Sequence, residues 1–164
     1  MDDETVNLVN DSLRTRVLAV WPDVALANGN DNGVWFAEDV KSIPFEMFKL
    51  PFAVVVGEDW EPREDFGITH QVSLAPYMIH YVRGKNQTNR TLRSRIKALA
   101  NYLAKTENDV YNTVATENVA AQILGVTTIS GGHELPLNTE FIERNMGHRA
   151  SAVRVELLVT ESWA

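Results

Sequence analysis

The sequence predicts an α+β fold: a mixed or mainly antiparallel sheet with two main helices packed on it, in a single domain over residues 1–164. Three observations lead there. Two stretches place apolar residues at spacings of three and four, the helical period. Several others are short apolar runs or alternate in polarity, the mark of strands. Helices and strands do not follow the regular alternation of a parallel sheet. A length of 164 residues, with 45% hydrophobic and 23% charged residues, suits one globular domain with its own core.

Val6, Val9, Leu13, Val17 and Val20 form one stripe, predicting a helix over Glu4–Val20 with Asp2 or Asp3 as cap. Trp21-Pro22 reads as its stop, because the residue before proline disfavours the helical region. A turn-rich stretch, Asn28 to Gly33, precedes the short apolar run Val34–Ala37. Phe52–Val56 is continuously apolar between Pro51 and Gly57, predicting a strand covered on both faces. An acidic segment follows, read over 57–67 as an exposed loop or hairpin, with Trp60 as a contact residue. Ile68–Val82 alternates and predicts a long strand. Pro76 in its middle cannot donate to a ladder, which predicts an edge strand or a bulge. After a polar turn, Thr88 or Asn89 can cap a helix reaching about Lys105, with Leu92, Ile96, Leu99 and Leu103 as its buried stripe. Val110–Gln122 is ambiguous between a short helix and an ordered loop. Ile123–Ser130 predicts a strand, 131–149 a polar connection, and Ala152–Thr160 a strand with one covered face.

Charge is segregated along this order. Met1–Asp65 holds 14 acidic and 5 basic residues. Phe66–Thr106 holds no acidic residue and seven basic ones: Arg83, Lys85, Arg90, Arg93, Arg95, Lys97 and Lys105. Glu107–Ala164 returns to 8 acidic and 3 basic, leaving a net charge of −7. Three readings compete. The basic stretch faces acidic surface of the same fold, or an acidic face of a neighbouring identical subunit, or nucleic acid. The third ranks last, because the acidic remainder opposes it and no recognition motif accompanies the cations. The interface candidates are therefore Arg83, Lys85, Arg90, Arg93, Arg95 and Lys97 on one side. On the other stand Glu58, Asp59, Trp60, Glu61, Glu64 and Asp65.

The chemistry that motifs would announce is missing. With no cysteine there is no disulfide, thiolate nucleophile or thiolate metal site, which suits a reducing cytoplasm. Gly29 and Gly33 lack the downstream Lys-Ser/Thr of a phosphate-binding loop, and Gly131-Gly132 opens no convincing helix. No nucleophile elbow or His-Glu-x-x-His helix is present. His70 and His80 lie ten residues apart on one strand, roughly 30 Å, too far to share a metal. His133, Glu140, Glu143 and His148 share one connection, but their spacing matches no ligand pattern. The clustered acids around Glu58–Asp65 lack the calcium-loop spacing and glycine. No apolar run is long enough to span a membrane, and the acidic start is the opposite of a secretory signal. The expectation is a structural subunit, with no enzymatic activity, no cofactor and no membrane partner.

The pattern resembles the tail terminator, or tail completion, proteins of tailed bacteriophages. The resemblance is carried by the opening helix Glu4–Val20, by Leu50-Pro51 leading into the run Phe52–Val56, and by the long strand His70–Val82 running into the helix Leu92–Lys105. It continues through Ile123–Ile129 and the closing strand Val153–Thr160. It covers most of the chain; the acidic segment Glu58–Asp65 and the connection His133–His148 fall outside it. The resemblance implies a homo-oligomer, typically a hexameric ring, that sits on the finished tail tube and stops its growth. Its implied partners are the tail tube protein, the neck or head-completion protein, the sheath protein in contractile tails, and DNA passing through the lumen. Its implied location is the virion tail or neck, after assembly in the host cytoplasm. It supplies no catalytic residues. Other neck or head–tail joining proteins are the nearest alternative. A nucleic-acid-binding accessory protein using the basic 83–105 region is an alternative of another class, and a small metal enzyme using His133, Glu140, Glu143 and His148 is a third.

Overall fold

The computed structural model describes residues 3–29, 33–37, 47–65, 70–105, 110–112, 119–129 and 150–162. Helix α1 spans Asp3–Val20 and buries Thr5, Val9, Leu13 and Val17, four residues apart, on one stripe. Val6 and Val20 flank it, half-buried. At Trp21 the backbone leaves helical geometry (φ −117°, ψ 63°), and Pro22 then opens a second helix, α2 (Pro22–Asn28). The sequence reading took this proline only as a stop. It is also a start, because its missing N–H is not needed at the first helical position. Gly29 ends α2 with φ 74°, a left-handed conformation that a side chain would resist.

Among the described residues, seven strands and a third helix complete the order: β1 (Val34–Ala37), β2 (Phe52–Gly57), β3 (Glu61–Asp65), β4 (His70–Val82), α3 (Asn89–Lys105), β5 (Val110–Asn112), β6 (Val119–Ile129) and β7 (Ala150–Ser162). All strands join one sheet in the order β1-β2-β4-β7-β6-β5, with β3 also on β4. Only β1 and β2 are parallel; the other pairings are antiparallel, so the sheet is mixed. The ambiguous stretch from Val110 supplies the three-residue β5 and the start of β6, with 113–118 outside the described residues. The 131–149 connection also lies outside them.

β4 is central, not an edge strand. Along one side all thirteen residues pair with β7, from His70↔Ser162 to Val82↔Ala150. Along the other, β2 pairs with Tyr77–Val82 and β3 with Gln71–Leu74, so β2 and β3 lie end to end. The gap between them sits opposite Pro76, whose carbonyl accepts the Glu58 N–H at 3.1 Å. In an antiparallel ladder the N–H and C=O of one residue point to the same neighbour. The donor that Pro76 lacks is therefore missing on the β2–β3 side, where the partner strand is interrupted, and the β7 ladder loses nothing. Neither an edge position nor a bulge is found at Pro76; the interruption of the partner strand takes the place of both.

The two faces of the sheet differ. α1, α2 and α3 pack over one, onto Ala53 and Val55 of β2, Ala75, Tyr77, Ile79 and Tyr81 of β4, and alternate residues of β6 and β7. The opposite face holds a smaller apolar cluster, including Phe52, Val54, Val82 and Ala152 with Phe48 and Leu50 packed on it. Phe52–Val55 is buried throughout because its alternate residues enter different clusters.

Candidate interaction surfaces

α3 presents a basic face. Leu92, Ile96, Leu99, Ala100 and Leu103 are buried, which turns Arg90, Arg93 and Lys97 outward, all exposed. They span seven residues, about 10 Å along the helix. None has an ion-pair or hydrogen-bond partner among the described residues. The helix carries no acidic residue. Its N-terminus is capped by Thr88, whose Oγ1 accepts the Thr91 N–H at 3.3 Å. Two of the cations thus stand near the positive end of the helix dipole, where a positive charge is unfavourable by some tenths of a kcal/mol.

The other basic candidates are placed differently. Lys85 is exposed in the turn before α3. Arg83 donates to the Gln87 carbonyl. Arg95 turns inward, with Nε 3.4 Å from Asp23 Oδ2. It borders a network in which the Tyr81 hydroxyl donates to Asp23 Oδ2 at 2.6 Å, Gln87 Nε2 donates to the same oxygen at 3.1 Å, and Trp21 Nε1 donates to the Arg95 carbonyl at 2.8 Å. Burial, reinforced by Asp23, pushes the Tyr81 hydroxyl up to about 12. The network ties α2, the end of β4 and α3 together. Arg95 belongs to this joint, although the sequence placed it with the outward cations.

The acidic candidates cluster at the β2–β3 junction. Glu58 and Asp59 are exposed, as is Glu61. Glu58 lies 3.4 Å from Arg154, which also binds Glu156 at 2.7 Å. Asp59 and Glu61 have no such partner among the described residues. Glu64 and Asp65 lie in β3, opposite Val72 and Gln71. Trp60 is half-buried, packed against the main core, and lines the cleft together with Tyr77.

A cleft of about 870 Å³ opens beside this junction, between the N-terminal half of α1 and the β1–β3 side of the sheet. Asn7 and Asn10 line it from α1, Phe36 from β1, and Asp59, Trp60 and Tyr77 from the sheet. Among the described residues its lining includes Glu58 and Asp59 but no Lys, Arg or His. The Tyr77 hydroxyl donates to Asn10 Oδ1 at 3.0 Å, and burial raises its pKa far above the ordinary tyrosine value, which keeps it a donor. No single stretch of sequence marks this cleft, since its walls are some seventy residues apart in the chain.

His80 is buried on the opposite face of the sheet, and desolvation lowers its pKa to about 4. None of Tyr77, Tyr81 and His80 is poised to exchange a proton near neutral pH. No group of three His, Asp or Glu able to hold a metal occurs among the described residues; His133, Glu140, Glu143 and His148 lie outside them. No described helix is long and apolar enough to cross a membrane. No family model matches the chain, and no curated protein matches it.

Proposed function

We propose that the chain is a virion assembly subunit, a phage tail terminator whose copies form a ring that caps the tail tube and joins it to the neck. The order of elements supports this, and so does an α+β fold with its helices segregated on one face. The observation that carries it is uncompensated charge. Arg90, Arg93 and Lys97 have no partner among the described residues, and neither have Asp59 and Glu61. No ion pair joins the two groups among the described residues. α3 packs mainly over β6 and β7 and less over β4, whereas the acids lie at the β2–β3 position on the other side of β4. Two unlike, complementary surfaces on one subunit make head-to-tail contacts, which close into rings when the rotation allows.

Light scattering on the protein alone and with tail-tube protein tests the reading. A mass several times the monomer, or capture on tube ends, is expected, weakening as salt rises. A strict monomer that never binds tube ends overturns it. The same unpaired cations favour a second reading, contact with nucleic acid. That reading requires DNA affinity that falls steeply with salt and is lost in an Arg90→Ala/Arg93→Ala/Lys97→Ala variant. Arg95 is left out of this test because its loss disturbs the Asp23 joint.

A further inference from the structure

We propose that the cleft between α1 and β1–β3 receives the Arg93–Lys97 face of α3 from a second copy of the chain. This rests on the ring reading and names the surface that the basic helix meets.

The cleft has the chemistry of a guanidinium or ammonium receptor. Asp59 is an exposed carboxylate without a partner among the described residues, and Glu61 continues the negative surface along β3. No basic side chain is among the described residues that line the cleft, and Arg14, which lies over the Phe36 ring at its wall, is paired with Asp11. Its walls include Phe36, Trp60 and Tyr77, and aromatic faces attract cations in addition to carboxylates. The ring of Phe36 already does so within the subunit, since the Arg14 guanidinium carbon lies 4.9 Å from its centroid. Trp60 is packed against the core, so it offers contact area with little ordering cost. The volume of about 870 Å³ lies in the range of sites that enclose a ligand, and admits protruding side chains of a helix without admitting the helix.

Position supplies the second argument. The cleft lies on the β1–β3 side of the sheet, and α3 packs mainly over β6 and β7, with a smaller contact on β4. A copy that inserts its α3 side chains into this cleft leaves its own cleft open to the next copy. The contact repeats in one direction, as a ring requires.

Because the chain has no cysteine, single introduced cysteines report this contact directly. Asp59→Cys and Arg93→Cys chains, mixed and treated with a short bis-maleimide, are expected to give a covalent dimer containing one of each. The Asp59→Cys/Arg93→Cys double variant is expected to give a ladder of multimers. Independently, Asp59→Lys/Glu61→Lys should weaken self-association at least about tenfold, and combining it with Arg93→Glu/Lys97→Glu should restore it. All four charge-swap sites are exposed, so circular dichroism and the melting temperature should show an intact fold. An oligomer that ignores the charge reversal and gives no 59–93 cross-link overturns the cleft assignment and leaves the ring reading standing. A chain that is monomeric both alone and with tube protein overturns both.

Discussion

At 0% exposure, His80 sits between Val54 and Ala152 in the sheet, and neither ring nitrogen has a partner among the described residues. Its folded pKa of about 4 lies below the ordinary 6.5, so as pH falls the unfolded chain takes up this proton first. Stability from His80 is complete above pH 6.5 and is lost progressively towards pH 4, by about 2 kcal/mol between pH 7.5 and 5.0. Urea unfolding at those two pH values should show this loss, and His80→Leu should remove that part of the pH dependence. An unchanged difference in the variant would contradict the buried, neutral imidazole. Tyr81 poses the complementary case. Tyr81→Phe removes the 2.6 Å hydrogen bond to Asp23 and leaves a half-buried carboxylate short of a donor, which should cost about 1–3 kcal/mol in the same measurement.

Among the elements, the chain passes close to α2 just before β1. A Cβ on Gly33 would stand 2.3 Å from the Val24 carbonyl oxygen and 2.5 Å from its Cγ1. Gly33→Ala should therefore destabilise by about 1–3 kcal/mol, seen as a lower urea midpoint. The long elements were legible because their periods were clean: the stripe of α1, the stripe of α3 and the alternation of β7 all appear where the sequence placed them. The errors have physical causes. Pro22 looks like a stop and is also the best opening residue for α2. Pro76 looks like an edge marker, but the break opposite it removes the cost of its missing donor. Glu61–Asp65, read within 57–67 as an exposed loop or hairpin, pairs antiparallel with β4, and Glu61, Pro62 and Arg63 are exposed. The cleft could not be read at all, because it exists only once α1, β1 and the β2–β3 junction meet.

On the scale of the whole molecule, the basic face of α3 separates an intramolecular role from an intermolecular one. If its cations stabilised this subunit, removing them would cost stability. The structure gives Arg90 and Arg93 no partner among the described residues and sets them near the unfavourable end of the helix dipole. Arg90→Ala/Arg93→Ala should thus leave the monomer unchanged or raise its stability by up to about 1 kcal/mol, while self-association falls. A thermal melt under dissociating salt, paired with a mass measurement, reads both. A loss above about 1 kcal/mol would favour the intramolecular role.

The placement of β7 has a consequence for how the molecule is made. β7 is the last described strand in the chain, yet it lies between β4 and β6. The hydroxyl of Thr5, at the other end, bonds to Glu161 across 156 positions. A ribosome releases β4 long before β7, so the growing chain carries two strands whose facing edges have no mate. Those edges are where a half-made chain can pair wrongly with another. Maturation should then depend on contacts far apart in sequence and be slow for a protein of this size. On the ring reading proposed above, subunits become competent for assembly together, when β7 closes the sheet, and not piecemeal as each surface emerges.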